Sequence, residues 1–217
     1  MPIIEIDRKT DILALTSFLL SLLAIGHQAL DYLAGARVEL FPPSVVTLTK
    51  HDYHTNGKED SYFIVEAPMT YVNRGQLGYN DVVKRETVSF LGPNGKKVVL
   101  VGFQHFNSME KEGNPDELVY TEKRGASPAL IPARSGISHE TRFVPFNQNC
   151  GGIPACERQN YVRFDEALGF LDKQKTFELE FAAELISDDK PKVARCTISQ
   201  LGVNELRRRG WVAHNCY

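Results

Sequence analysis

The sequence predicts a mainly β protein: an N-terminal transmembrane helix followed by an antiparallel β-sandwich, with an Ig-like layout as its leading form. Three observations predict it. Residues 12–35 are the chain's only apolar run longer than four turns of helix, and residues 12–26 carry no charge. Beyond them lie seven or more short alternating or β-branched stretches, divided by Gly, Pro, Asn and Asp, with little amphipathic helix between. The four cysteines, Cys150, Cys156, Cys196 and Cys216, all fall in the C-terminal third, and an even count after a membrane or signal segment reads as disulfides formed in an oxidising compartment. The organisation that follows is a short cytoplasmic tail at 1–11, a signal-anchor helix at 12–35 and one extracytoplasmic domain at 36–217.

The helix is justified by length. A hydrocarbon core takes roughly 20 apolar residues, so the span closes if the helix continues through His27, Gln28 and Asp31 to about Leu33. In lipid such a helix satisfies its own backbone hydrogen bonds. Ala14, Ser17, Ser21, Ala24, Gln28 and Asp31 recur at spacings of three and four and form one stripe, the small and polar face through which a membrane helix can pack against a copy of itself or another protein. Two other readings compete. Ala34, Gly35 and Ala36 fit a small-x-small cleavage site, although Glu5, Asp7 and Asp11 are unusual in a signal peptide, and an apolar run of this length also suits a buried helix of a soluble domain. Arg8 and Lys9 before the helix against Arg37 and Lys50 after it barely orient it, so the cysteines place the C-terminal domain outside the cytoplasm.

Composition narrows the function classes. The chain has 217 residues with 25 basic and 27 acidic side chains, and setting aside the N-terminal segment leaves about 180 residues, enough for one core, with no net charge. Neutrality excludes the basic excess of a nucleic-acid binder, and Arg207, Arg208 and Arg209 read as a solvated helix face.

Taken in order, residues 37–41 alternate as a half-buried strand that Pro42 and Pro43 end or bend, and 44–49 resume it. Residues 51–60 read as a loop containing Asn56 and Gly57. Residues 61–73 are aromatic and β-branched, interrupted by Pro68, which suggests a bulge or an edge. Residues 81–91 and 96–106 flank Gly92-Pro93-Asn94-Gly95 and form the clearest hairpin. Residues 107–136 are polar and read as a long loop with one short strand at 118–121, a place for partner contacts. Alternation returns at 138–146. A short helix is expected at 165–172, strands at 175–187 and 192–199 joined by a turn at 188–191, and a helix at 204–209 with Asn204 as its cap and Gly210 as its stop.

Four cysteines allow three pairings, of which Cys150 with Cys156 and Cys196 with Cys216 are the most local; the second would tether the terminus. The spacings lack the knuckles of a four-cysteine zinc site. His51 and His54, in the run HDYH, offer two ligands from one loop but no identifiable third. His105, His139 and His214 read as surface or hydrogen-bonded residues. The chain has no G-x-S-x-G, no phosphate loop and no dinucleotide fingerprint. No cofactor is expected. The functional expectation is a non-enzymatic, single-pass membrane protein whose outer domain binds or assembles with a protein partner, in contact with the lipid bilayer and not with nucleic acid. The alternative is a secreted or periplasmic hydrolase or metal-binding enzyme domain.

Overall fold

The computed structural model describes residues 8–33, 35–55, 58–93, 95–111, 114–125, 128–145, 162–199 and 201–217. Helix α1 (Arg8–Leu33) leads. Its stretch Ile12–Leu30, 19 residues, is long and apolar enough to cross a membrane, and Leu13, Phe18, Leu20, Leu23 and Leu30 are all exposed. The hydroxyls within it turn back on the helix: Thr16 Oγ1 donates to the carbonyls of Ile12 and Leu13, and Ser21 Oγ donates to Ser17 O at 2.8 Å. Polar side chains so satisfied are compatible with an apolar surrounding.

Eleven strands follow among the described residues: β1 (Val38–Phe41), β2 (Val45–Thr55), β3 (Lys58–Asn73), β4 (Asp81–Leu91), β5 (Lys97–Lys111), β6 (Asn114–Gly125), β7 (Ala129–Ile131), β8 (Ser135–Val144), β9 (Thr176–Leu185), β10 (Lys192–Ser199) and β11 (Trp211–Asn215). Helices α2 (Phe164–Leu171) and α3 (Val203–Arg209) lie among them in the described residues. All the pairings are antiparallel and make one sheet in the order β10-β9-β4-β5-β8-β3-β2-β11, with β1 added to β3, β6 to β5 and β7 to β4. The two ends of that order meet. Thr197 of β10 and Tyr217, just past β11, exchange backbone hydrogen bonds at 3.2 Å, and Cys196 and Cys216 are joined by a disulfide across the same seam. The sheet is therefore nearly closed and barrel-like, rather than the two separate layers of an Ig-like sandwich. Closure removes exposed edges, which a sandwich leaves at both sheets.

Alternation along the strands fills the interior with Phe63, Val65, Leu100, Phe143, Leu179, Phe181 and Ile198. Phe63, Phe90 and Phe177 pack edge to face, with Phe90 and Phe177 centroids 5.2 Å apart. Helix α2 adds Phe164, Leu168 and Leu171 to this core, and α3 adds Val203 and Leu206. The expected hairpin is β4–β5, closed by Gly92 N–H to Lys96 O at 2.8 Å, with Gly95 at φ +68°. Pro68 sits where the partner of β3 changes from β2, whose pairing ends at Glu66, to β1, whose pairing begins at Thr70, so a gap in the ladder is already there.

Three local expectations are corrected. Residues 51–60 are not a loop, since β2 and β3 pair out to Thr55 and Lys58. Most of the polar excursion at 107–136 is the β5–β6 ribbon followed by β7; β6 pairs with β5 alone, and a ribbon with one partner needs no apolar face to announce it. The residue at the N-cap of α3 is Gly202, with no side-chain bond, instead of Asn204, while Gly210 ends the helix at φ +79° as its left-handed stop requires.

Candidate functional site

Alternation in a strand sends every second side chain inward, and a β-bulge resets that count by inserting one residue. Two bulges do this on neighbouring strands. On β4, Val83 pairs with Leu185 and Arg85 with Glu184, which leaves Lys84 as the extra residue and turns Glu86, opposite buried Ala183, into the interior. On β5, Gly102 pairs with Phe143 and Gln104 with Arg142, which leaves Phe103 as the extra residue and turns His105, opposite fully buried Thr141, inward as well. Regular positions on β3 and β8 supply Tyr71, His139 and Thr141.

These five side chains meet. Glu86 Oε1 accepts from Tyr71 Oη at 2.6 Å and faces His139 Nε2 at 2.8 Å; Oε2 accepts from Thr141 Oγ1 at 2.8 Å and lies 3.6 Å from His105 Nε2. The two imidazoles stack with centroids 3.9 Å apart and planes tilted by 32°. Side-chain exposure is 4% for His105, 5% for Glu86 and 12% for His139, so the way in from solvent runs over His139. A methyl at Gly102 would come within 3.0 Å of Thr141 Cγ2 and 3.2 Å of Glu86 Cβ, and the absence of a side chain there lets β5 lie close against the cluster.

Electrostatics keeps Glu86 ionised. Burial, the largest influence, favours the neutral acid, but donors from His105, His139 and Tyr71 and the charge of His139 outweigh it and hold the carboxyl below the usual range. Burial first, then the Glu86 charge and its hydrogen bond, push the Tyr71 hydroxyl far above its ordinary value, so it remains a donor. Nδ1 of His105 is buried with no hydrogen-bond partner among the described residues. The cluster is thus a buried carboxylate facing two imidazole nitrogens, an arrangement that can hold a proton or a small cation between them. Glu86, His105 and His139 present one ligand atom each, all within 4.8 Å of one another.

Sequence reasoning missed this site. His105 and His139 read as surface or hydrogen-bonded residues, and simple alternation from Val98 and Leu100 puts Gln104, not His105, inside. The three-residue step from inward Gly102 to inward His105 is the mark of the bulge, and it is visible only once β8 supplies the register.

The predicted residues fare differently. Ala14, Ser17, Ser21, Ala24 and Gln28 all lie exposed on α1; Asp31 is in the helix, but its side chain is outside the described residues. Cys196 and Cys216 are bonded to each other, with Cα atoms 4.9 Å apart, whereas Cys150 and Cys156 lie outside the described residues. His51 lies on β2, and the side chain of His54 is outside the described residues. Burial and then the nearby Arg142 charge push the His51 imidazole down, while Asp52 bonds Lys50 at 2.8 Å and Ser61 at 2.6 Å. Arg142 itself pairs with buried Glu66 at 2.8 Å. His214, half-buried, accepts from Gly202 N–H at 3.4 Å.

No family profile matches the chain, and no curated protein is similar to it in sequence. A solved structure to which it is similar, described as the X-ray structure of Northeast Structural Genomics Consortium target SoR45, is 11% identical, with 78% of this chain and 89% of that chain covered and a TM-score of 0.34. A likeness this slight assigns no activity.

Proposed function

We propose that the chain is a non-enzymatic single-pass membrane protein, with its amino terminus in the cytoplasm and its β domain held outside to bind or assemble with a protein partner. One observation carries the reading: none of the apolar window in the 19-residue stretch Ile12–Leu30 is buried, so it joins no core of its own. A soluble domain's helix buries such a face, and an exposed one this large calls for lipid or a partner. The Cys196–Cys216 bond agrees with an oxidising compartment for the domain that follows. On this reading the face carrying Ala14, Ser17, Ser21, Ala24, Gln28 and Asp31 is where α1 meets a second membrane helix.

The test is to fractionate cells expressing the intact chain, alkylate free thiols, run the membrane pellet without reductant and read the amino-terminal sequence of the band. An intact Met1 end in the membrane with Cys196 and Cys216 unalkylated supports the anchor. A mature end near Arg37, or soluble protein with free thiols, refutes it. Because Ser21 Oγ already bonds its own helix, replacing Ser17 and Ser21 with Leu leaves the helix intact; unchanged oligomer size in lipid would then remove the packing face.

A further inference from the structure

We propose that Glu86, His105 and His139 form a binding site for one divalent transition-metal cation of the zinc class. The inference stands apart from the membrane reading and rests on different residues.

The donor set comes first. Two imidazole nitrogens and one carboxylate oxygen are borderline ligands, suited to Zn²⁺ and its neighbours and poorly suited to Ca²⁺ or Mg²⁺, which prefer oxygen throughout. The spacing is the second argument. Bonds of about 2.0–2.1 Å in tetrahedral geometry place ligand atoms roughly 3.4 Å apart, and one ligand atom each from Glu86, His105 and His139 lies within 4.8 Å of the other two. Small side-chain rotations close the site around an ion.

Unmet hydrogen bonding is the third. His105 is buried, its Nε2 faces Glu86 Oε2 at 3.6 Å, and its Nδ1 has no partner among the described residues. A buried imidazole held this way costs free energy that a polar core built for stability alone would avoid. The supporting shell is already in place, because Tyr71 and Thr141 each donate to one oxygen of Glu86 and so fix the carboxylate's orientation, the role such groups play around metal ligands. Entry follows the exposed edge of His139.

The experiment uses the full chain in mild detergent, stripped with a chelator, dialysed and titrated with Co²⁺ as a visible probe, followed by competition with Zn²⁺. One equivalent of Co²⁺ with the intense absorption of a low-symmetry site, displaced by Zn²⁺, is the expected result. Glu86→Gln and His139→Gln lower the affinity at least a hundredfold, whereas the double change His51→Ala and His54→Ala leaves it as it was. X-ray absorption of the zinc-loaded wild type, which needs no variant to fold, shows a nitrogen and oxygen shell with two imidazoles and no sulfur. Folded wild type that takes up no Co²⁺ at one equivalent, binding abolished by the His51 and His54 changes, or a sulfur-containing shell would each overturn the proposal.

Discussion

The buried carboxylate offers the sharpest test of how the barrel interior is held. Tyr71 is fully buried and its Oη donates to Glu86 Oε1 at 2.6 Å, well inside the ordinary range for a bond to a charged acceptor. Tyr71→Phe removes that one donor while the ring keeps its place among the core side chains. A hydrogen bond to a charged group contributes about 1.5–3 kcal/mol. Oε1 keeps His139 and Oε2 keeps Thr141, so the carboxylate is weakened rather than orphaned and the loss falls near the middle, about 2 kcal/mol. For a domain of this size that is a fall in Tm of about 4–8 °C. Urea unfolding of the full chain in detergent at neutral pH, with the slope unchanged, measures it. The same substitution in a Glu86→Gln background meets a neutral acceptor, and its cost drops to about 1 kcal/mol. A loss below about 0.5 kcal/mol, or equal losses in the two backgrounds, would show that the bond does not hold a charge in the native protein.

Three further outcomes are expected. Replacing Cys196 and Cys216 with Ser opens the β10–β11 seam across a sequence separation of 20 residues and costs about 3 kcal/mol on the chain-entropy account, read as a lower urea midpoint that reductant no longer shifts. Burial lowers the pKa of His214 below its ordinary 6.5, so the folded state prefers the neutral ring; its contribution is present above pH 6.5 and lost as pH falls through the folded value, and His214→Gln flattens the decline in urea midpoint between neutral and mildly acid pH. Gly102→Ala forces a methyl to within 3.0 Å of Thr141 and 3.2 Å of Glu86, destabilises the protein by about 1–3 kcal/mol by overpacking, and lowers Co²⁺ uptake along with it, since the same strand carries His105.

The sequence by itself determined what depends on neighbouring residues alone. Charge-free apolar length marks α1, aromatic and β-branched content marks β3, alternation marks β9 and β10, Gly92 and Gly95 mark the tight β4–β5 turn, and Gly210 marks the end of α3, because each signal is a property of a few consecutive side chains. Even the Cys196–Cys216 pairing was within reach, as the shortest closure that ties down the terminus. Long-range pairing decided the rest. Whether eleven strands stack as two layers or roll into one sheet depends on β11 lying beside β2 while Tyr217 reaches Thr197, contacts between residues far apart in the chain. The Glu86, His105 and His139 centre belongs to the same class: one inserted residue on each of two strands reverses which side chains face inward, and nothing local to Lys84 or Phe103 announces the insertion. The physical reason is that a strand's face is set by register with its partner, and register is a relation between strands that neither carries alone.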